Sequence, residues 1–305
     1  MVNVDRATTD AQLRAAIAAT SGLITSNADN AELRWPGDGV YNNPWADYFK
    51  TRDDNRLSQT LVNILIANSD PRLPIYAQPS TSDTLSTGAK CSPPCYSGMP
   101  NGLTASAAGR WLNVASRAGA VFYPGPTAYG VFGGTGASFP SFIITAAEVN
   151  FILAEAAERG LAGLTAAQAK GYYEAGIRAS MDQWGVTNST AINNYIASAP
   201  VAYQSGTPGL TRIAQQKWIA LFSDGGTAWA EWRRTCVPST VKPGPAATSS
   251  TVPRRFQYPP TEYSVNATSL KAAVDRQGSD AFATRVYWDT APTTAPTFVT
   301  GCGQR

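Results

Sequence analysis

The sequence predicts a mostly α-helical protein in which helical hairpins alternate with long, irregular, loop-rich insertions. Three observations predict it. Between residues 141 and 235, apolar side chains recur at helical spacing behind capping boxes, as at Thr145-x-x-Glu148 and Thr165-x-x-Gln168. Glycines close these runs, Gly160 the first and Gly185 the second. Residues 74–140, by contrast, are rich in Gly, Pro, Ser and Thr and show little helical period.

Taken in order, a first helix is expected from the capping box Thr9-x-x-Gln12, with Leu13, Ala16 and Ile17 on its apolar face. A polar stretch follows over residues 25–56, where Trp35, Tyr41, Trp45, Tyr48 and Phe49 stand among Asn, Asp, Gly and Pro. The next helix runs from about Leu57, with Leu61, Ile64 and Leu65 on one side. It stops before Asp70-Pro71, since the residue ahead of a proline disfavours helical backbone. The insert over 74–140 is long for a structureless loop, and such loops are usually functional.

The helix after Thr145 carries Val149, Ile152, Leu153 and Ala156. The helix after Thr165 carries Ala169, Tyr172, Tyr173, Gly176, Ile177, Met181 and Trp184. A second pair spans residues 210–222, with Ile213, Trp218 and Leu221, and residues 227–234, with Trp229 and Trp232. Short turns and small residues at the contacts make these tetratricopeptide-like hairpins, although no strict repeat consensus recurs. Such units are scaffolds more often than catalysts. The helical aromatics Tyr172, Tyr173, Trp184, Trp218, Trp229 and Trp232 are read as core or partner-facing. Residues 236–305 form a loop-rich closing segment. Within it lies Arg254-Arg255-Phe256-Gln257-Tyr258-Pro259-Pro260-Thr261-Glu262, where the guanidinium fork of Arg254 or Arg255 is expected to clamp Glu262.

Composition narrows the function classes. The 305 residues are 43% hydrophobic and only 15% charged, with a net charge of +3 and no long basic run, which argues against nucleic-acid binding. Histidine is absent, which removes Ser-His-Asp and Cys-His hydrolases and histidine zinc sites. No calcium-loop pattern is present, so neither metal nor cofactor is expected. Cys91-Ser-Pro-Pro-Cys95 reads as a small disulfide-closed loop, with Cys236 and Cys302 as the natural second pair; four cysteines allow three pairings, and spacing does not choose among them. Disulfides would place the protein outside the cytoplasm. No segment is apolar enough to span a membrane, and the start Met1-Val-Asn-Val-Asp5 lacks the regions of a signal peptide.

Several pieces, in order, resemble one family, the SusD/RagB-like outer-membrane nutrient-binding lipoproteins of Bacteroidetes. They are Ile24-Thr-Ser-Asn-Ala-Asp-Asn30 with Asn43-Pro44, Arg52-Asp53-Asp54 with Ser58-Gln-Thr-Leu-Val62, and Asp70-Pro-Arg-Leu73 with Tyr76. Next come Tyr96-Ser-Gly-Met-Pro-Asn-Gly102 and Ala147-Glu148-Val149 with Ala154-Glu155-Ala156. Gln216-Lys217-Trp218-Ile219-Ala220 with Trp229-Ala-Glu-Trp-Arg-Arg-Thr235, and the closing loop with Asp280 and Tyr287-Trp288-Asp289, complete the series. The resemblance is closest to the second SusD-like branch. It implies one SusD-like α fold over residues 1–305. Because family members are longer and begin with a lipid-bearing cysteine, it also implies a C-terminal portion without the N-terminal helices and lipoprotein signal.

The function implied by the resemblance is non-catalytic capture of a glycan, oligosaccharide or peptide nutrient at the cell surface. The implied partner is a SusC-like TonB-dependent outer-membrane transporter, and the implied membrane link is an N-terminal lipid anchor absent from this chain. Residue chemistry identifies candidate contacts. Sugars present apolar C–H faces and hydroxyl edges, which suit aromatics on loops flanked by Asn and Asp. Tyr41, Asn42, Asn43, Trp45 and Tyr48 form the densest such cluster, and Trp111, Tyr123 and Tyr129 form a second. Two alternatives belong to other classes: a glycoside hydrolase using Glu148, Glu155 and Glu158, and a protein-interaction scaffold with no small-molecule site.

Overall fold

The computed structural model describes residues 2–84, 88–124, 135–248 and 252–289. Its first helix, α1 (Arg6–Ile17), begins ahead of the expected start. Asp5 rather than Thr9 supplies the cap, its carboxylate accepting from the Thr8 amide at 2.8 Å, while the Thr9 hydroxyl donates back to the Asp5 carbonyl. None of its residues is buried. The helix leans on the turn near residue 160 through Arg6, which donates to the Arg159 carbonyl, and Asp10, which accepts from the Ala162 amide at 2.6 Å.

Residues 25–56, expected as a polar loop, contain a strand and a short helix. Strand β1 (Ala31–Leu33) pairs antiparallel with β2 (Ser141–Ile144), bringing the loop to the end of the insert. Helix α2 (Pro44–Phe49) carries proline in its first turn, where the missing N–H costs nothing. Helix α3 (Gln59–Ala67), capped by Ser58, buries Leu61, Val62 and Leu65 and ends before Asp70-Pro71 as expected. The insert contains only the short helices α4 (Leu73–Tyr76) and α5 (Ala105–Gly109) and two 3-10 turns among its described residues.

Irregular as it is, the insert is tied down by backbone hydrogen bonds to the start of α3. The Leu57 amide donates to the Ser116 carbonyl, and the Gln59 amide donates to the Met99 carbonyl. Gly119 sits where its amide donates to the Tyr76 carbonyl, so close to the neighbouring segment that a Cβ there would lie 1.8 Å from the Ile75 carbonyl oxygen. Gly119→Ala is therefore expected to lower stability by about 1–3 kcal/mol, read as a shift in urea midpoint at unchanged slope. An unshifted midpoint would show that this contact is not a constraint.

The hairpins follow: α6 (Ala146–Glu158) and α7 (Ala166–Gln183), then the additional helix α8 (Ser189–Ala197), then α9 (Thr207–Ala220) and α10 (Gly225–Thr235). The buried face of α6 matches the expected one at Ala156 but is otherwise shifted. Ala147, Phe151 and Ala154 face the core, whereas Ile152 is exposed. The reason lies in α7, where Gly176 leaves room for the Phe151 ring; a Cβ there would lie 2.8 Å from it. Small residues on both helices let the backbones approach, and close approach outweighed the burial of larger aliphatics. One core cluster joins α6, α7, α8 and α9 through Phe151, Tyr173, Ile177, Tyr195 and Ile213. Another joins α2, α3, α4 and the insert to the end of α7 and to α9 through Phe49, Leu65, Tyr76, Phe122, Phe139 and Trp184. No helix among the described residues is long and apolar enough to cross a membrane.

The closing segment is less irregular than expected, holding α11 (Pro260–Val265) and α12 (Ala267–Gln277). Its arginines do not clamp Glu262. Arg255 pairs with Asp280 at 2.8 Å, Arg254 pairs with Asp289, and Glu262 instead accepts from the Asn266 side chain. Asp280 also receives the Tyr258 amide and the Tyr263 hydroxyl, so one carboxylate gathers the whole loop. Cys91 and Cys95 form a disulfide with Cα atoms 6.0 Å apart, and Cys236 is likewise disulfide-bonded. Cys302 lies outside the described residues.

Candidate functional site

Two buried amides shape the loop that carries Trp45. Asn43 caps α2 by accepting from the Trp45 amide at 2.8 Å, and its Nδ2 donates to the Phe139 carbonyl at 2.8 Å. Asn42 accepts from the Gly39 amide at 3.0 Å and donates to Asp47 at 2.9 Å. With an acceptor and a donor of each amide engaged and exposures of 5% and 1%, Asn42 and Asn43 are buried supports of the loop that carries the aromatic rings. Lys50 first, and Asn42 after it, hold the Asp47 carboxyl below its usual range.

The loop presents aromatic surface. Tyr41, Trp45 and Tyr48 are all exposed, Trp45 by 47%. One helical turn on, Phe49 stacks with Trp45 at 6.0 Å, and Tyr123 stacks behind Phe49 at 4.4 Å and nearly parallel. Tyr48 meets Phe49 edge-on at 5.5 Å, and the Arg52 guanidinium lies over the Tyr48 ring. A three-ring stack of this kind fixes the Trp45 indole before any ligand arrives, so little ordering cost remains to binding. Burial, and then the charge of Asp53, raise the Tyr123 phenol, which keeps it neutral in its supporting position.

Beside Trp45 lies a cavity of about 410 Å³, between α2, the start of α3 and the α9–α10 turn. Aromatic rings from Trp45, Phe49, Phe122, Trp218 and Phe222 dominate its wall, with aliphatic contributions from Leu57, Leu61 and Leu221. Its polar members are Asn55, Arg56 and Ser223. Four of the five Arg56 donors are committed elsewhere: Nε and one Nη2 hydrogen to the Leu112 carbonyl, and Nη1 to those of Asp53 and Asn55. A second cavity of about 80 Å³, lined by Asn43, Phe139, Phe142 and Asp224, also touches Trp45. Trp45 is thus shared by both cavities and is exposed to solvent as well.

Of the other expected contacts, the two that lie among the described residues do not line the cavity. Trp111 stands half-buried on the turn after α5, beneath Arg110, and does not line the cavity. Tyr123 braces Phe49 from behind, and Tyr129 lies outside the described residues. Trp218, read as core or partner-facing, packs against the core and also lines the cavity with Phe222. The readable signal was the Trp45/Phe49 spacing of four residues, which marks one helix face. The contribution of the α9–α10 turn is purely tertiary. The carboxylates of the hydrolase alternative are all engaged: Glu148 with Lys217, Glu155 with Arg159 and Arg234, and Glu158 with the Tyr203 hydroxyl and the Gly206 amide. Burial raises the Glu148 carboxyl and Lys217 opposes it.

Residues 1–259 match the SusD-like family model described as starch-binding and associating with the outer membrane. The chain belongs to the SusD-like family. Solved SusD-like structures superpose on it over most of its length. A chitin-binding SusD homolog from Flavobacterium johnsoniae is 26% identical, with a TM-score of 0.70, covering 95% of this chain and 60% of that one. A SusD homolog from Bacteroides vulgatus is 25% identical, with a TM-score of 0.71, covering 96% and 60%. Another from Bacteroides uniformis is 26% identical, with a TM-score of 0.71, covering 95% and 61%. The chain therefore spans about 60% of the length of these relatives. No curated protein shows significant similarity to it. In this SusD-like chain several of the quoted motif pieces place paired charges inside the fold. Asp70-Pro-Arg-Leu73 supplies a fully buried ion pair, and Glu155, Glu231 and Arg234 form a second network between α6 and α10.

Proposed function

We propose that the chain captures a saccharide at the outer-membrane surface by stacking it on Trp45, and that it acts by binding without turnover. The observation that carries this reading is the indole itself: exposed by 47%, braced by Phe49 and Tyr123, and set at the mouth of a cavity. The apolar face of a pyranose suits such a ring, and Tyr48 and Tyr41 extend the aromatic surface on the same loop. Starch binding is named for the family and chitin binding for a relative, so malto- and chito-oligosaccharides are the first ligands to test. Delivery to a SusC-like TonB-dependent transporter and anchoring by an N-terminal lipid are the further parts of the reading, supported by the family's association with the outer membrane. The shared core clusters support treating the insert and the hairpins as one domain.

Trp45→Ala is the direct test by isothermal titration. Affinity for the bound oligosaccharide is expected to fall at least about tenfold, or ~1.4 kcal/mol, with thermal stability little changed, because the ring is half-exposed. Unaltered affinity would remove the Trp45 loop from the site.

A further inference from the structure

We infer that the cavity beside Trp45 receives an aromatic acyl substituent of the saccharide, of the hydroxycinnamoyl ester class, while the sugar itself rests on the outer indole face. This rests on the saccharide-binding reading above. Three features of the cavity point to it.

The first is wall chemistry. Five rings dominate the lining, and the polar groups are limited to Asn55, Arg56 and Ser223. Arg56 has four of its five N–H donors turned to the Asp53, Asn55 and Leu112 carbonyls, so few polar groups, chiefly Asn55 and Ser223, are left to answer a ligand. A pyranose carries hydroxyls around its whole edge, and each one buried without a partner is penalised. The cavity therefore excludes the sugar ring itself. A phenolic ring with one or two oxygens matches two polar groups among aromatic walls, where edge-to-face and offset contacts are available.

The second feature is size. A volume of about 410 Å³ lies within the range of small-molecule pockets, and an acetyl methyl would leave most of it empty. An arylpropenoyl group fills far more of it. The second cavity that touches Trp45, at about 80 Å³, does not have room for such a group.

The third is adjacency. Trp45 belongs to the cavity wall and also presents exposed surface, so one indole contacts both halves of an ester-linked ligand. A sugar and its acyl group are joined by a single short ester, which requires two such surfaces to lie side by side.

The test is titration of the intact protein with a feruloylated arabinoxylo-oligosaccharide and with the same oligosaccharide after saponification. The feruloylated form is expected to bind at least about tenfold more tightly, ~1.4 kcal/mol. Ala228 lines the cavity on α10, and Ala228→Phe, with folding checked by thermal melt, is expected to bring the two affinities to within about twofold. Equal affinities in the unmodified protein overturn the inference and leave saccharide binding standing. So does a preference that survives Ala228→Phe. Failure of both forms and of malto- and chito-oligosaccharides to bind removes the binding reading together with the inference.

Discussion

Arg72→Ala is expected to cost about 3–5 kcal/mol of folding stability, the penalty of stranding a buried carboxylate. Arg72 and Asp70 have fully buried side chains. The guanidinium grips the carboxylate through Nε at 2.9 Å and Nη2 at 2.7 Å, then reaches Ser180 at 2.8 Å, Gln216 at 3.0 Å and the Tyr195 hydroxyl at 3.2 Å. One side chain thereby links the exit of α3 to α7, α8 and α9. Burial is the largest influence and works against its charge, but Asp70, Tyr195 and Tyr76 together outweigh burial and keep it protonated. Arg72→Lys is expected to recover little, since a single ammonium cannot make five hydrogen bonds in this fork geometry. Urea unfolding checks the ordering. Asp70→Asn with Arg72→Met should be less damaging than Arg72→Ala alone, because the pair leaves no unpaired charge. A double variant as unstable as the single one would show that shape, rather than charge, governs the site.

Glu155 gives the second large effect, and it carries a pH signature. Burial is the largest single influence and would raise its carboxyl, but Arg234, Arg159 and Lys217 together outweigh burial, and the carboxyl is held down to about 2. Arg234 binds it with two donors, at 2.7 and 2.6 Å, and Arg159 with one at 2.8 Å. In the unfolded chain the same carboxyl titrates near an ordinary 4.5. Its folded value is the lower one, so its stabilisation is complete above that ordinary value and is lost as pH falls toward about 2. The gap corresponds to about 3 kcal/mol. Glu155→Gln is expected to lower stability at neutral pH and to flatten the acid limb, measured by urea unfolding at neutral pH and near pH 3. A variant with the same acid limb as the parent protein would place that pH dependence elsewhere.

These two networks explain what was legible in the sequence. The pieces Asp70-Pro-Arg-Leu73 and Trp229-Ala-Glu-Trp-Arg-Arg-Thr235 were readable as identity because they contain charges among apolar residues, a costly combination unless the charges are paired. Who pairs with whom was not readable, since Arg72 reaches residues more than a hundred positions away. Hairpin helices were legible from caps and spacing, yet the face of α6 was partly misjudged because alanine packing against Gly176 outweighed the bulk of Ile152. At the site, the Trp45 loop was legible by composition. The structural part its asparagines play, as caps and braces of that loop, was not, because an amide in sequence does not reveal its hydrogen-bond partners. The cavity was hidden for a different reason: α2 and the α9–α10 turn meet only in the folded protein.

Hydroxyl-radical footprinting of the protein with and without bound oligosaccharide tests the central claim most directly. Trp45 and Trp229 are almost equally exposed, at 47% and 44%, so each serves as the other's control. The account predicts that saturating saccharide protects Trp45 and Tyr48 and leaves Trp229 as reactive as before. Protection of Trp229 with Trp45 unchanged, or binding with neither protected, would contradict it.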